Sequence, residues 1–262
     1  MDLNFTGKTA LVGGSSQGIG RATAQVLASL GAHVILLARN QHALEQVQAE
    51  LPATQGQQHQ ILVADYAEPE TLKQQIQQLL KDDLKIHILI NNTGGPAPGP
   101  ASEATEEQFL AAFNQHLICN HILTQAVLPG MQQQGYGRII NIISTSVKQP
   151  IPGLGVSNTI RAAVANWAKT LSLEVAKHGI TVNNVLPGAT YTGRLQSIIR
   201  NKSAKAEMPL DEVEQHMLKE IPAGRFALPE EVANAVAFLA SPAAAYINGI
   251  NLPVDGGRTA SL

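Results

Sequence analysis

The chemistry in this chain is concentrated in a glycine-rich turn, an arginine at the end of an apolar run, and a serine and a histidine far apart in sequence. The stretch TALVGGSSQGIGRA, Thr9 to Ala22, passes from a short apolar run at Ala10 to Val12 through Gly13, Gly14, Gly18 and Gly20. It then enters a helical pattern through Ala22, Ala24, Val26, Leu27 and Leu30. A strand entering a helix through such a turn leaves backbone N–H groups free at the helix N-terminus. Those donors and the helix dipole suit a pyrophosphate. Glycine matters because a Cβ would hold the backbone away from the phosphates. Gly14, Ser16, Gly18, Ile19 and Gly20 are the candidate phosphate-binding residues. The spacing departs from G-x-G-x-x-G, and a plain tight connection would use the same glycines.

A second apolar run, His33 to Leu37, ends at Ala38-Arg39-Asn40. NAD-selective sites commonly place an acid here for the ribose 2′-hydroxyl. Arg39 stands there instead, and its planar fork suits a 2′-phosphate, which favours NADP(H) over NAD(H). The alternative is a solvated arginine at a strand end. Ser144 and His116 could pair as nucleophile and base, but no acid is placed to orient the histidine, so a hydrolase is set aside. His116 and His121 are five apart and face different directions on a helix, so no metal site is expected.

The elements that position these residues follow from periodicity. Further strands read at Ile61 to Ala64, Ile86 to Ile90, Ile139 to Ile143, Thr181 to Leu186 and Ile250 to Val254. Helices read at 40–51, Pro69 to Leu80, through Phe109, Ala112, Phe113, Leu117, Ile118, Ile122 and Leu128, at Ser157 to Lys177, and at Pro229 to Leu239. Thr105 with Gln108 forms a weak capping box. Residues 193–221 are more charged and loosely patterned, as a mobile substrate lid would be. Strands alternate with helices without repeat or linker. This predicts an α/β fold: one Rossmann-like, doubly wound parallel sheet of about seven strands with helices on both faces, one domain over 1–262.

Composition narrows the function classes. The chain has 262 residues, 44% hydrophobic and 15% charged, enough to bury a substantial core. A net charge of −2 with no basic block argues against nucleic acid. The expectations are no membrane span, no signal peptide and a cytoplasmic location, the single Cys119 fitting a reducing compartment.

The glycine spacing matches G-x-x-x-G-x-G at Gly14, Gly18 and Gly20, and this resembles the turn of the classical short-chain dehydrogenase/reductase family. Gly13 replaces the Thr usual before the first glycine, from which a looser turn is expected. Asn91-Asn92-Thr93-Gly94 resembles the family's N-N-A-G motif, where an Asn can tie central strands together and Gly94 lets the cofactor approach. Asp65 matches an acid that contacts adenine in the family; it could equally cap the helix at Pro69. Pro187-Gly188-Ala189-Thr190-Tyr191-Thr192 resembles P-G-x-x-x-T, whose Thr contacts the nicotinamide carboxamide. IPAGRFALPEEVA and INGINLPVDGG match the C-terminal pattern, so the resemblance covers nearly the whole chain. The Pro-rich NNTGGPAPGPA continuation reads as substrate rim or as a plain surface loop.

The resemblance implies carbonyl reduction by hydride from NAD(P)H, with a Ser holding the carbonyl oxygen, a Tyr giving the proton, a Lys tuning the Tyr and binding ribose, and an Asn completing a relay. Only Ser144 matches. Ser157 stands in the Tyr position, Arg161 in the Lys position and His116 in the Asn position. A serine hydroxyl is far less acidic than a phenol, whose pKa starts near ~10. Arg161 can donate to ribose hydroxyls but cannot pass a proton. His116, which titrates near neutral pH when unperturbed, and Tyr191 are substitute proton donors; each also reads as a structural residue. The pattern around Gly94-Gly95-Pro96 and Arg161-Ala162-Ala163 resembles an atypical branch grouped with 3-oxoacyl-[acyl-carrier-protein] reductases, implying a thioester-linked or small-molecule carbonyl substrate. The alternatives are an NADP(H)-binding sensor without turnover and a partner subunit. The family also implies a homo-oligomer, tetramer or dimer, through residues 108–128 and 157–177.

Overall fold

A computed structural model describes residues 1–261. Seven strands form one parallel sheet in the order β3-β2-β1-β4-β5-β6-β7. They are β1 (Thr9–Gly13), β2 (His33–Ala38), β3 (Gln60–Val63), β4 (Ile88–Asn91), β5 (Gly137–Ile142), β6 (Ile180–Pro187) and β7 (Asn251–Val254). The helices are α1 (Gly18–Ser29), α2 (Gln41–Glu50), α3 (Pro69–Leu79), α4 (Glu106–Phe113), α5 (Cys119–Gln134), α6 (Gly155–Val175), α7 (Gly193–Ala206), α8 (Leu210–Lys219) and α9 (Pro229–Ala240). The strand order reverses between β1 and β4, and a crevice outside their carboxyl ends is where such sheets take ligands.

Side chains alternate across the sheet, so each strand feeds two cores. Val12, Leu36, Ile90, Ile140 and Val185 pack beneath α1 and α9, through Leu27 and Val236 among others. Leu11, Ile35, Leu89, Ile139 and Val182 pack on the opposite face against Ile76 of α3, Leu123 of α5 and Ala168 of α6. Covering both faces explains why the strands read as continuous apolar runs rather than alternating ones.

Four asparagines interrupt those runs at one level across the sheet. Asn91 Nδ2 donates to Asn141 Oδ1 at 2.9 Å, Asn141 Nδ2 to Asn184 Oδ1 at 2.9 Å, and Asn184 Nδ2 to Asn251 Oδ1 at 2.8 Å. The register places each directly opposite the next across β4, β5, β6 and β7. Each amide finds a partner in the ladder, with only Asn91 Oδ1 left without one; an unpaired buried group costs roughly 1–3 kcal/mol.

Two elements carry detail that the sequence pattern did not supply. The long helical pattern after Thr105 is not one α-helix: a π-helical turn, Asn114–Ile118, joins α4 to α5. The wider turn rotates the face, turning Phe113 (36% exposed) outward and His116 inward. The capping box at Thr105 and Gln108 is formed. Residues 193–221, expected as a loosely patterned lid, form α7 and α8. Their sparse apolar residues suffice because Leu195, Ile199 and Val213 converge with Met208, Met217 and Phe226 into a small core of their own. Among the described residues no helix is long and apolar enough to cross a membrane.

Candidate active site

The site begins at the β1–α1 turn. Gln17 occupies the cap position of α1 without a side-chain bond to the helix, and the first turn carries no acid. The N–H groups there are left for a ligand. Gly14 and Gly18 have φ of +58° and +57°, which a Cβ would disfavour. A Cβ on Gly14 would lie 2.6 Å from Asn92 Nδ2, and one on Gly20 would strike the Gly14 carbonyl. Asn92 Nδ2 donates to Gly13 O at 3.1 Å, fastening the turn to the end of β4. Ser15 is buried with its N–H on Leu37 O, while Ser16 and Ile19 border the crevice, half-buried. These groups fit a dinucleotide pyrophosphate.

The space beside Gly13 is occupied from elsewhere in the chain. Tyr66, buried after β3, puts its hydroxyl into the space a Gly13 side chain would take, closer than the Asn92 carbonyl oxygen at 2.8 Å. Volume lost from one residue is filled by another. The Tyr66 hydroxyl has no hydrogen-bond partner, and burial pushes its pKa upward.

At the other end of the crevice Arg39 is exposed and lies 3.9 Å from Asp65 across the ends of β2 and β3. Asp65 does not cap α3: that position belongs to Glu68, and Asp65 Oδ1 instead accepts from the Ala67 N–H at 2.9 Å.

Ser144 follows β5 and opens a 3-10 turn, its Oγ accepting from Ser146 N at 3.1 Å. One lone pair is thereby occupied and the hydroxyl proton is free to donate. Ser157 and Arg161 lie one turn apart on α6, both 8% exposed. Arg161 Nη1 donates to Ile142 O at 2.9 Å, two residues before Ser144, so this side chain reaches the end of β5. No acid pairs with it among the described residues, and its Nε has no partner. His116 is 2% exposed with Nε2 unpartnered. Burial, and then the charges of Arg161 and Arg194, push its pKa down to about 2. The histidine expected to titrate near neutrality is therefore held neutral. Tyr191 is half exposed, its N–H on Ala227 O.

The remaining wall comes from three loops. Gly94 has open space above it. The Pro-rich loop is pinned to the start of α6 by Gly99 N to Gly153 O at 2.8 Å and Gly155 N to Gly99 O at 2.9 Å. Pro187 ends β6 and Gly188 follows it, packed so tightly on Asp255 that a Cβ would sit 2.7 Å from the Asp255 Cβ. Thr192 caps α7 through Leu195 N at 3.4 Å and approaches Gly18, whose Cβ would stand 3.3 Å from the Thr192 methyl. Arg194 crosses to the β4 loop, donating to Gly95 O at 3.0 Å and Pro96 O at 2.9 Å.

Sequence reasoning did not find Tyr66, Arg194 or the asparagine ladder. Arg194, two residues past Thr192, carried only the signal of its position. The ladder left a stronger trace: each of four apolar strands carries an Asn. Among the described residues no group of three or more His, Cys, Asp or Glu could hold a metal.

The family model described as "Enoyl-(Acyl carrier protein) reductase" matches residues 14–259. The 3-oxoacyl-[acyl-carrier-protein] reductase FabG of Haemophilus influenzae is 36% identical over 251 residues, covering 96% of this chain and 98% of that protein. The NADPH-dependent reductase BacG of Bacillus subtilis is 32% identical, covering 97% of this chain and 99% of that one. The crystal structure of L-sorbose reductase from Gluconobacter frateurii, complexed with NADPH and L-sorbose, superposes with a TM-score of 0.93 at 32% identity, covering all of both chains. The seven-stranded switch-point sheet, the Gly14-Gly18-Gly20 turn and these matches together make the chain a member of the short-chain dehydrogenase/reductase family of oxidoreductases.

Proposed function

We propose that the chain is an NADP(H)-dependent reductase of a carbonyl group, with a thioester-linked 3-oxoacyl group as its first candidate substrate, the class acted on by relatives such as FabG of Haemophilus influenzae. The observation carrying this reading is Ser144: a half-buried hydroxyl at the end of β5, its lone pair engaged by Ser146 N and its proton free to donate. It lies at the same edge of the parallel sheet as the uncapped N-terminus of α1, β5 being two strands from β1.

Gly14, Ser16, Gly18, Ile19 and Gly20 would hold the pyrophosphate. Arg39 would take the 2′-phosphate, in place of the acid that would select NAD(H), and Asp65 the adenine. Asn92, Gly94, Arg161, Pro187, Gly188 and Thr192 would receive the nicotinamide half. NADPH, when bound, supplies the hydride. Ser144 holds the substrate oxygen by donating to it. Arg161, buried and always charged, stabilises negative charge as it grows on that oxygen. Ser157 and the neutral His116 complete the polar wall, and neither has a pKa suited to general acid catalysis. The last proton therefore comes from water, and the rate is expected to be about 10²- to 10⁴-fold below that of a site with a tuned acid.

The same lack of a tuned acid favours a second reading, a weakly active or inactive NADP(H)-binding sensor or partner subunit. The reading extends to one cytoplasmic domain that assembles as a tetramer or dimer, supported by the outward-facing Leu110, Phe113 and Leu173.

The test is NADPH consumption with an acetoacetyl thioester by wild type and Ser144→Ala, with NADPH affinity measured alongside by fluorescence. The reading expects slow wild-type turnover that falls at least tenfold in the variant while NADPH affinity holds. No turnover by wild type, with NADPH bound, leaves the sensor reading in its place.

A further inference from the structure

The positive charge of this site exceeds what carbonyl reduction needs. Arg161 and Arg194 come from different elements, α6 and the start of α7, and converge over Gly95. A Cβ on that glycine would stand 2.9 Å from Arg194 Nη2 and 3.5 Å from Arg161 Nη2. A side chain there would fill the space shared by the two guanidinium groups. Neither is paired with a carboxylate among the described residues. Their protein contacts are all to carbonyl oxygens: Ile142 for Arg161, Gly95 and Pro96 for Arg194.

A guanidinium has five N–H donors. Arg161 uses one on Ile142, and its Nε is buried without a partner. It is more than nine-tenths buried, where an uncompensated cation is costly. Each arginine lowers the pKa of its neighbours here, and no acid offsets them. Two forks meeting over one small residue, with no carboxylate between them, suit a planar anion.

Two anions could come to it, the cofactor pyrophosphate or a group on the substrate. The pyrophosphate already has its place across the crevice, on the free N–H groups of α1. The arginine pair lies toward β5: Arg161 binds the carbonyl of Ile142, two residues from Ser144. Ser144 follows that same strand end, so an anion on the pair and a carbonyl oxygen on Ser144 would share one end of β5.

We infer that Arg161 and Arg194 receive a carboxylate of the substrate, and that the compound reduced at this site is a short oxo acid. This rests on the reductase reading, and within the 3-oxoacyl class it singles out the free acid over the thioester. In a 3-oxo acid the C3 oxygen meets Ser144 and the C1 carboxylate meets the two guanidinium groups. Hydride from NADPH adds to C3, the C=O π pair moves to oxygen, and water gives that oxygen its proton. The products are the 3-hydroxy acid, NADP⁺ and hydroxide. Chemically, the reactions that supply such a substrate are those that leave a free oxo acid, such as hydrolysis of an oxoacyl ester.

The probes are acetoacetate and ethyl acetoacetate, which share a carbonyl and differ in charge. Binding is read by calorimetry on the NADP⁺ complex, where both reactants are oxidised and nothing turns over. Turnover is read separately with NADPH. Wild type is expected to bind acetoacetate at least tenfold more tightly than the ester. Arg194→Met should weaken acetoacetate about 10- to 100-fold, the range for one charged hydrogen-bonding partner. Ester and NADP⁺ binding should be unchanged, and Arg194→Lys should recover part of the loss.

Equal binding of acid and ester by wild type overturns the inference, whether or not reduction occurs. A loss of NADP⁺ affinity in Arg194→Met as large as the loss for acetoacetate assigns the pair to the pyrophosphate and also overturns it. Carboxylate-selective binding without any turnover upholds the receptor while refuting the reductase reading.

Discussion

Restoring the residue that the family usually carries before its first turn glycine should damage this protein unless Tyr66 is shortened too. In Gly13→Thr the new Cβ meets the Tyr66 hydroxyl inside contact distance and the Asn92 carbonyl oxygen at 2.8 Å. Tyr66 is 7% exposed and packed among Leu11, Leu37 and Leu89, so the ring has little room to retreat. Overpacking of this kind costs about 1–3 kcal/mol. Tyr66→Val alone leaves a cavity, at about 2–4 kcal/mol by analogy with other large-to-small changes. In the double variant the threonine enters the space the tyrosine left, and the measured loss should be smaller than the sum by about 1–2 kcal/mol. Recovery stays partial because the Asn92 contact remains. Tyr66→Phe removes only a buried hydroxyl with no partner, so it should leave stability unchanged or raise it by up to about 1 kcal/mol. Urea unfolding of wild type and the four variants gives these numbers, and NADPH titration reports whether the turn still binds. Strict additivity of Gly13→Thr and Tyr66→Val would refute the claim that one residue replaces the volume of the other.

Three further outcomes follow from the same structure. Asn141→Ala strips the ladder of its central amide and leaves Asn91 Nδ2 and Asn184 Oδ1 unpaired; the loss should be about 2–5 kcal/mol by urea unfolding, more than for an exposed Asn such as Asn114. His116 is neutral in the folded protein with its pKa pushed down to about 2, against about 6.5 unfolded, so the unfolded state binds the extra proton first. The contribution of His116 should be full above about pH 6.5 and fall by about 1.4 kcal/mol per pH unit below it; His87, pushed down to about 4, adds a loss of the same sign, so in unfolding measured between pH 7 and 5 His116→Asn should remove the first share and leave the second. Ser157→Tyr with Arg161→Lys supplies a tunable acid and should raise the turnover of an acetoacetyl thioester about 10²- to 10⁴-fold, whereas unchanged turnover would place the limiting step outside proton transfer.

The fold was legible because its signals are local. Continuous apolar runs separated by helical periodicity can only become a sheet covered on both faces, and the Gly14-Gly18-Gly20 spacing located its ligand end. The π turn at Asn114–Ile118 was not legible, since a single register shift hardly disturbs helical spacing, and it is what buries His116. The two helices within 193–221 were hidden by their charge, because a core of Leu195, Ile199 and Val213 needs few apolar positions. At the site, Ser144, Ser157 and Arg161 could be placed because the resemblance to the family carries its catalytic positions onto this chain without a gap. Tyr66 and Arg194 could not: each acts on a residue distant in sequence, Gly13 in one case and Gly95 in the other, and such meetings are made only by the folded chain.

The central claim is that this site moves a hydride to a carbonyl carbon without a tuned acid. The direct measurement incubates the protein with NADPH carrying deuterium at the transferring position, and with acetoacetate, ethyl acetoacetate and the acetoacetyl thioester separately. Mass spectrometry then reads the products. The account predicts one deuterium at C3 of the 3-hydroxy product, formed by wild type and reduced at least tenfold in Ser144→Ala. Unlabelled substrate recovered from all three, with NADPH bound and the protein folded, would contradict it.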